Sequence, residues 1–315
     1  GMKYIVTGGA GFIGSHMAEF LIQAGHDVHV LDNLLTGKRQ NLTQLESVGN
    51  FTFHELDVAH HDALIPIFEG ADAVFHFAAL PSVPLSVEDP LTTNHHGVNA
   101  TLGVLIAAKE ARVRRVIYSA SSAAYGNVTE QHISETSLPA PISPYGVAKL
   151  VGEYYCKAFY ASYGLEAISL RYFNIFGSRQ DPNSAYAAVI PKFITTMLKG
   201  KRPTIFGDGL QTRDFTHVDN IVHGNWLASQ TTHSEAFGTV LNVATGTSIS
   251  VLDMLQALNN VLGTDIQPIH APVRAGDILH SGSDITLAQQ YLGFQPIVDF
   301  QEGIQRTINW YRQQP

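Results

Sequence analysis

The chain has 315 residues, 45% apolar and 15% charged, with a formal charge of −8 at pH 7, enough apolar side chain to bury one large core or two moderate ones. The acidic balance and the lack of a basic stripe argue against a nucleic-acid partner. No apolar run reaches the roughly 18 to 20 residues that cross a bilayer and the start lacks a signal peptide's layout, so no membrane partner is expected and the expected location is cytoplasmic. Cys156 is the only cysteine, which excludes an internal disulfide, and Gly1 ahead of Met2 is set aside as an added residue.

The first element is an apolar strand, Tyr4 to Thr7, that runs into a glycine turn and a helix: Tyr4 to Gly14 read YIVTGGAGFIG. Glycines permit a tight turn and close approach of the backbone to a pyrophosphate, and the helix N-terminus faces the anion. Two registers fit, Gly9, Gly11 and Gly14 as GxGxxG, and Gly8, Gly11 and Gly14 at threefold spacing. Phe12, Ile13, Met17, Phe20 and Leu21 supply the apolar face of the helix. A second strand, Val28 to Leu31, ends at Asp32, eighteen residues past Gly14, where a carboxylate accepts both hydroxyls of an adenosine ribose and favours NAD. Lys38 and Arg39 downstream keep the 2′-phosphorylated cofactor open.

Strand patterns recur at Phe51 to Leu56, Ala73 to Phe77, Arg115 to Ser119 and Glu166 to Tyr172, with helical patterns between most of them. The alternation predicts an α/β fold, a Rossmann-type doubly wound parallel sheet. After Asn174 it lapses into a segment punctuated by Pro182, Pro191, Pro203, Gly207 and Gly209, expected in a smaller α/β lobe that binds substrate. A further strand at Thr239 to Ala244 and a helix at Val251 to Leu262 follow. The expected division is interleaved: residues 1–173 and 215–246 in the dinucleotide domain, 174–214 and 247–315 in the smaller one.

Chemistry concentrates at two places. Ser143 as N-cap and Pro144 at the first helical position start a helix that sets Tyr145 and Lys149 one turn apart on one face. A tyrosine with a reference pKa of about 10 is a poor base at neutral pH, and lowering it by about three units takes roughly 4 kcal/mol of preferential phenolate stabilisation. Lys149 and a positive nicotinamide ring in a partly dehydrated cleft can supply it. At the end of the fifth strand, residues 118–126 read YSASSAAYG, on the sheet edge where open α/β folds bind ligands. Ser121 is the candidate hydroxyl there, placed to hydrogen-bond the reacting oxygen. The fifteen histidines are scattered, the pairs His60/His61 and His95/His96 are adjacent rather than i, i+4, and no metal is expected.

TGGAGFIG, the HFAA of residues 76–79, YSASSAAYG, the YGVAK of 145–149 and the RYFNIFG of 171–177 together resemble the extended short-chain dehydrogenase/reductase family over nearly the whole chain. Within it, DPNSAYAAVIPKF (181–193), GDGLQTRDF (207–215) and RAGDILHS (274–281) are similar to the UDP-hexose 4-epimerases. The resemblance implies Ser121, Tyr145 and Lys149 as the catalytic set. It also implies NAD held by Gly8, Gly11, Phe12, Ile13, Gly14, Asp32, Asn33, Asp57, Val58, Phe77, Ala78 and Ala79 together with Tyr145 and Lys149. A UDP-sugar substrate would be met by Ser121, Asn174, Arg213, Arg274 and Ser281; the arginines suit diphosphate oxygens because a guanidinium offers paired donors.

The implied reaction is inversion at C4 through a transient 4-keto sugar. Sugar 4,6-dehydratases of the family carry an Asp and Glu pair where this chain has Ser122 and Ala123, so no acid and base for water elimination is evident. A dehydratase or, behind it, a decarboxylase remains an alternative of the same family, and a non-catalytic NAD-binding regulator one of another class, although such proteins usually lose the Tyr or Lys kept here. Family members with Tyr at the position of Ser281 resemble enzymes restricted to UDP-glucose and UDP-galactose. The small residue here, with the RQDPNSAYAAVIPKF run, implies UDP-GlcNAc and UDP-GalNAc, with the plain hexoses also accommodated. Helices within Asp89 to Ala111 and Tyr145 to Tyr163 imply a homodimer contact. One departure stands out: the family's Asn at a cofactor contact is Gly97 here, in the run Gly97, Val98, Asn99, Ala100, Thr101. Either the backbone, Asn94 or Asn99 compensates, or the register shifts.

Overall fold

The computed structural model describes residues 1–128, 130–183, 188–275 and 278–315. Strand β1 (Lys3–Thr7) leads through the glycine turn into α1 (Phe12–Gln23), then come β2 (Asp27–Asp32), β3 (Phe51–Glu55), α2 (His61–Phe68) and β4 (Ala71–His76). Two short helices, α3 (Val83–Glu88) and α4 (Pro90–Asn94), run through a π-helical turn at His95–Asn99 into α5 (Ala100–Glu110). Then follow β5 (Arg115–Ser121), α6 (Pro144–Tyr163) and β6 (Glu166–Tyr172). The rest comprises β7 (Ile175–Phe176), α7 (Val189–Leu198), β8 (Thr204–Phe206), β9 (Thr212–Arg213), β10 (Thr216–His217), α8 (Val218–Gln230) and β11 (Val240–Val243). After it come β12 (Ile249–Ser250), α9 (Val251–Leu262), β13 (Ile269–Ala271), α10 (Thr286–Leu292) and α11 (Phe300–Arg312).

Seven strands form one sheet in the order β11-β6-β5-β4-β1-β2-β3, every neighbour parallel. This is the expected doubly wound α/β sheet; the central strands β1 (KYIVT) and β4 (ADAVFH) are buried on both faces, whereas the edge strand β3 (FTFHE) is only half-covered. Successive residues feed opposite cores. Ile5, Val74, Val116 and Ala167 join Leu64 of α2, Leu105 of α5 and Cys156 of α6 on one face. Tyr4, Val6, Phe75, Ile117 and Ile168 join Met17 of α1 and Ile221 of α8 on the other. Cys156 is therefore packing, as its helical setting suggests. A third cluster, with Phe176, Phe193, Ile205, Met254, Leu258 and Ile304, lies outside the sheet.

Residues 285–294, expected with the smaller lobe, pack with the sheet instead. Ile285, Ala288, Leu292 and Phe294 are buried in the cluster that holds Leu241 and Val243 of β11, because the apolar side of α10 fits against that outer strand. Among the described residues no helix is long and apolar enough to cross a membrane.

Candidate active site

The sheet order reverses between β1 and β4, and the crevice outside the carboxyl ends of strands at such a point is where open α/β sheets bind ligands. The glycine turn sits there. Gly8 has φ +65°, and a Cβ on it would stand 2.7 Å from the amide nitrogen of Ala78, so the turn and the β4 end touch backbone to backbone. A Cβ on Gly14, which both glycine registers share, would meet the Gly8 carbonyl oxygen at 2.2 Å, so the helix start packs directly on the turn. Gly11 caps α1 with no side-chain bond, leaving the first-turn N–H groups to an anion.

At the end of β2, Asp32 accepts hydrogen bonds from Ala10 N (2.9 Å) and Leu34 N (2.8 Å). Burial pushes its carboxyl up, and those two amides pull against the shift. Lys38 pairs with Asp181 at 3.8 Å and Arg39 with Glu46 at 3.0 Å, so the cations weighed for a 2′-phosphate are engaged with carboxylates. The neighbouring Asn33 accepts from Leu35 N at 2.9 Å. Asp57 accepts from Ala59 N at 2.9 Å and bonds His95 Nε2 at 2.7 Å; burial raises its carboxyl, but these bonds together hold it below its ordinary value. All the residues expected to hold the dinucleotide line one cleft of about 540 Å³ with Ser121, Tyr145, Lys149 and Asn174. The cradle fits NAD.

Ser143 caps α6, its Oγ accepting from Gly146 N at 3.0 Å, with Pro144 next. Tyr145 is thus fixed in the first turn, its N–H donating to Ser86 Oγ at 3.0 Å. Lys149 follows one turn later, 8% exposed, and its Nζ, 5.9 Å from the Tyr145 ring centre, donates to the Ser119 carbonyl oxygen at 2.7 Å. Burial lowers this ammonium to about 8, opposed by the carboxylate of Glu153. Burial also raises the Tyr145 phenol, while a hydrogen bond with Ser121 lowers it. Within the chain alone, then, burial outweighs the stabilisation of the phenolate that the spacing of Tyr145 and Lys149 suggests. Ser121 ends β5, where its Oγ also accepts from Ala123 N at 3.1 Å.

The other substrate candidates divide between that cleft and its surroundings. Asn174, at φ +36°, lines the cleft, whereas Arg213, Arg274 and Ser281 do not. Arg213 donates to Thr212 O and Ile278 O, each at 2.7 Å. Arg274 stacks 4.1 Å from the Phe206 ring centre, and Ser281 N donates to Thr212 O at 3.0 Å. Residues 184–187 of the 181–193 run and 276–277 of the 274–281 run lie outside the described residues.

Two groups escaped the sequence reading. Arg179, at φ +71°, lines the cleft and reaches Glu19 of α1 at 2.6 Å; it opens the RQDPNSAYAAVIPKF run, which is read for its likeness as a whole and not for this side chain. His95, His96 and Asp57 place ligand atoms within 4.8 Å of one another, the group that could hold a metal ion among the described residues. Their separation of 38 residues between Asp57 and His95 hides this in sequence. The carboxylate is already bonded by His95, and Asp57 and His96 belong to the wall of the dinucleotide cleft.

Comparison with known proteins agrees with this geometry. The model of the NAD dependent epimerase/dehydratase family matches residues 4–244. The chain is 36% identical over 309 residues, 98% of each chain, to a putative UDP-glucose 4-epimerase of Methanocaldococcus jannaschii. The solved UDP-N-acetylglucosamine 4-epimerase from Methanobrevibacter ruminantium M1, in complex with UDP-N-acetylmuramic acid, superposes with TM-score 0.94 at 41% identity, covering 100% of this chain and 99% of that one. The UDP-glucose 4-epimerase of Thermotoga maritima, with UDP-glucose, gives TM-score 0.91 at 37% identity over 99% of both chains. A glycine cradle, Asp32 at the end of β2 and a Tyr145/Lys149 pair in one cleft, on a chain matched over this length, make this protein a member of the NAD dependent epimerase/dehydratase family.

Proposed function

We propose that this protein is an NAD-dependent UDP-sugar 4-epimerase that interconverts UDP-GlcNAc and UDP-GalNAc and also accepts UDP-glucose and UDP-galactose. The observation that carries the reading is the meeting of Ser121, Tyr145 and Lys149 in the cleft of the glycine cradle, with Ser122 and Ala123 where an eliminating enzyme would need carboxylates. The smallness of Ser281 and the 41% identity to a UDP-N-acetylglucosamine 4-epimerase support the acetamido substrate.

Tyr145 takes the proton of the sugar 4-hydroxyl, Ser121 holds that oxygen by a hydrogen bond, and Lys149 favours the phenolate through its charge. NAD, when bound, supplies the reversible hydride exchange between alcohol and ketone. Tyr145 then returns the proton after the hexose has turned about its phosphate linkage. For that turn the nucleotide must stay anchored, the role we assign to Asn174, Arg213 and Arg274.

The same reading places the enzyme in the cytoplasm and as a homodimer, with 174–214, 247–284 and 295–315 forming the sugar-binding lobe. Supporting the dimer, Leu91 (84% exposed), Ile142 (70%), Val87 (64%) and Tyr154 (58%) offer apolar surface on α3, α4 and α6 and the approach to α6. Incubation with UDP-GlcNAc and UDP-glucose, followed by chromatography, tests the function. New hexose epimers are expected; a 4-keto-6-deoxy product or no turnover overturns it.

A further inference from the structure

The helical run after Asp89 widens at His95–Asn99 into a π turn between α4 and α5. Such a turn inserts one residue and changes which side chains face each way, and it occurs frequently at functional sites. Gly97 is turned onto the catalytic helix, where a Cβ would stand 3.1 Å from that of Ala148. The register therefore shifts, and of the two histidines before Gly97 one meets Asp57 and the other lines the cleft. His95 Nε2 lies 2.7 Å from Asp57 Oδ2, His96 lines the cleft, and His96 Nδ1 is 3.5 Å from the side-chain Nδ2 of Asn33.

We propose that the π turn makes an adenosine clamp: His95 is a positioning residue that fixes the Asp57 carboxylate, and His96 contacts the adenosine half of the dinucleotide beside Asn33. The proposal rests on the family's use of NAD. Asn99 completes the arrangement. Its Nδ2 stands 3.4 Å from His95 Nδ1, so an amide N–H aimed at that nitrogen selects the tautomer with the proton on Nε2, the one that donates to Asp57. With Ala59 N–H on Oδ1 and His95 N–H on Oδ2, the carboxylate is held in one orientation, and each oxygen keeps a lone pair for an amino group such as adenine's. Preorganisation of this kind lowers the ordering cost of binding.

The test is the dissociation constant of NAD, and of ADP as a probe carrying only the adenosine half, on protein freed of nucleotide. His95→Ala and His96→Ala should each weaken NAD about tenfold, the scale of one charge-assisted hydrogen bond. ADP should weaken by the same factor, and His95→Gln, which restores a donor near Nε2, should recover most of the loss. Unchanged NAD binding in both alanine variants, or weaker NAD with unchanged ADP, overturns the clamp. If the parent binds no NAD at all, the cofactor reading fails first and the clamp with it.

Discussion

Lys149 Nζ donates to the carbonyl oxygen of Ser119 at 2.7 Å, tying α6 to the end of β5, which carries Ser121. The bond aims the ammonium into the cleft wall beside the Tyr145 ring and explains why the lysine is buried rather than solvated. Its charge is balanced from below: Glu153, one turn further along α6, is itself held by Arg171 through bonds of 2.8 and 2.6 Å.

Activity should follow the charge of that lysine. Burial has lowered its ammonium to about 8, so it is protonated below that pH and neutral above it. A group that must be charged to favour the phenolate loses its effect as pH rises through its pKa, and kcat/KM should fall on the alkaline side of about 8. Removing the carboxylate that supports the charge, as in Glu153→Gln, should move this limb to lower pH. A pH–rate profile of parent and variant checks both, and coincident limbs would show that Lys149 does not set it.

Tyr145 and Ser121 give a sharper contrast. Tyr145→Phe should lower kcat by about a hundredfold to ten-thousandfold, the range for losing a positioned general base, with NAD still retained because the glycine cradle and Asp32 are untouched. Ser121→Ala should cost less, since it removes one hydrogen bond and leaves the base in place. Single-turnover kinetics on both variants give the comparison, and a Tyr145→Phe enzyme as fast as the parent would sink the assignment.

The parallel sheet was legible because its signal is local: each strand is an apolar run ended by a turn, and Val251–Leu262 was readable as a helix from periodicity alone. The cleft residues were legible through motif resemblance, since they sit at strand ends in fixed order. What stayed hidden depends on contacts between distant segments. No local pattern tells that α10 returns to β11, that Arg179 reaches Glu19, or that His95 finds Asp57 across 38 residues. The π turn was hidden for a different reason. One inserted residue leaves the apolar period of the run nearly intact, and only the Gly97 packing against Ala148 exposes the shift.

Acid stability should depend on His76. Its ring is fully buried between Thr7 Oγ1 (2.6 Å) and Thr101 Oγ1 (2.9 Å), and Thr7 in turn accepts from Ala78 N at 3.2 Å in the cofactor turn. Burial lowers the imidazole to about 3, with Lys149 adding to the shift. The unfolded chain takes up a proton near the ordinary value of about 6.5 while the folded one does not until about 3. Stability is therefore lost as pH falls across that window, at up to about 1.4 kcal/mol per pH unit. Urea unfolding between about pH 6.5 and about pH 4 should show this slope in the parent and a shallower one in His76→Asn, whose lower starting stability does not affect the slope.

Substrate choice is tested at Ser281. Its main chain is pinned on both sides: its N–H donates to Thr212 O at 3.0 Å, its carbonyl accepts from Ser248 Oγ at 3.1 Å, and the next carbonyl, of Gly282, accepts from Ile133 N at 3.0 Å. A larger side chain there cannot be relieved by backbone movement, so Ser281→Tyr must push its ring toward whatever the serine faces. With the sugar on that side, kcat/KM for UDP-GlcNAc should fall at least about tenfold relative to UDP-glucose, because steric exclusion of the acetamido group acts on one substrate and not the other. Equal loss on both substrates would mean that the ring disturbs the 278–281 segment that Arg213 grips through Ile278 O, and the gate would have to be sought in the residues around Asn174 instead.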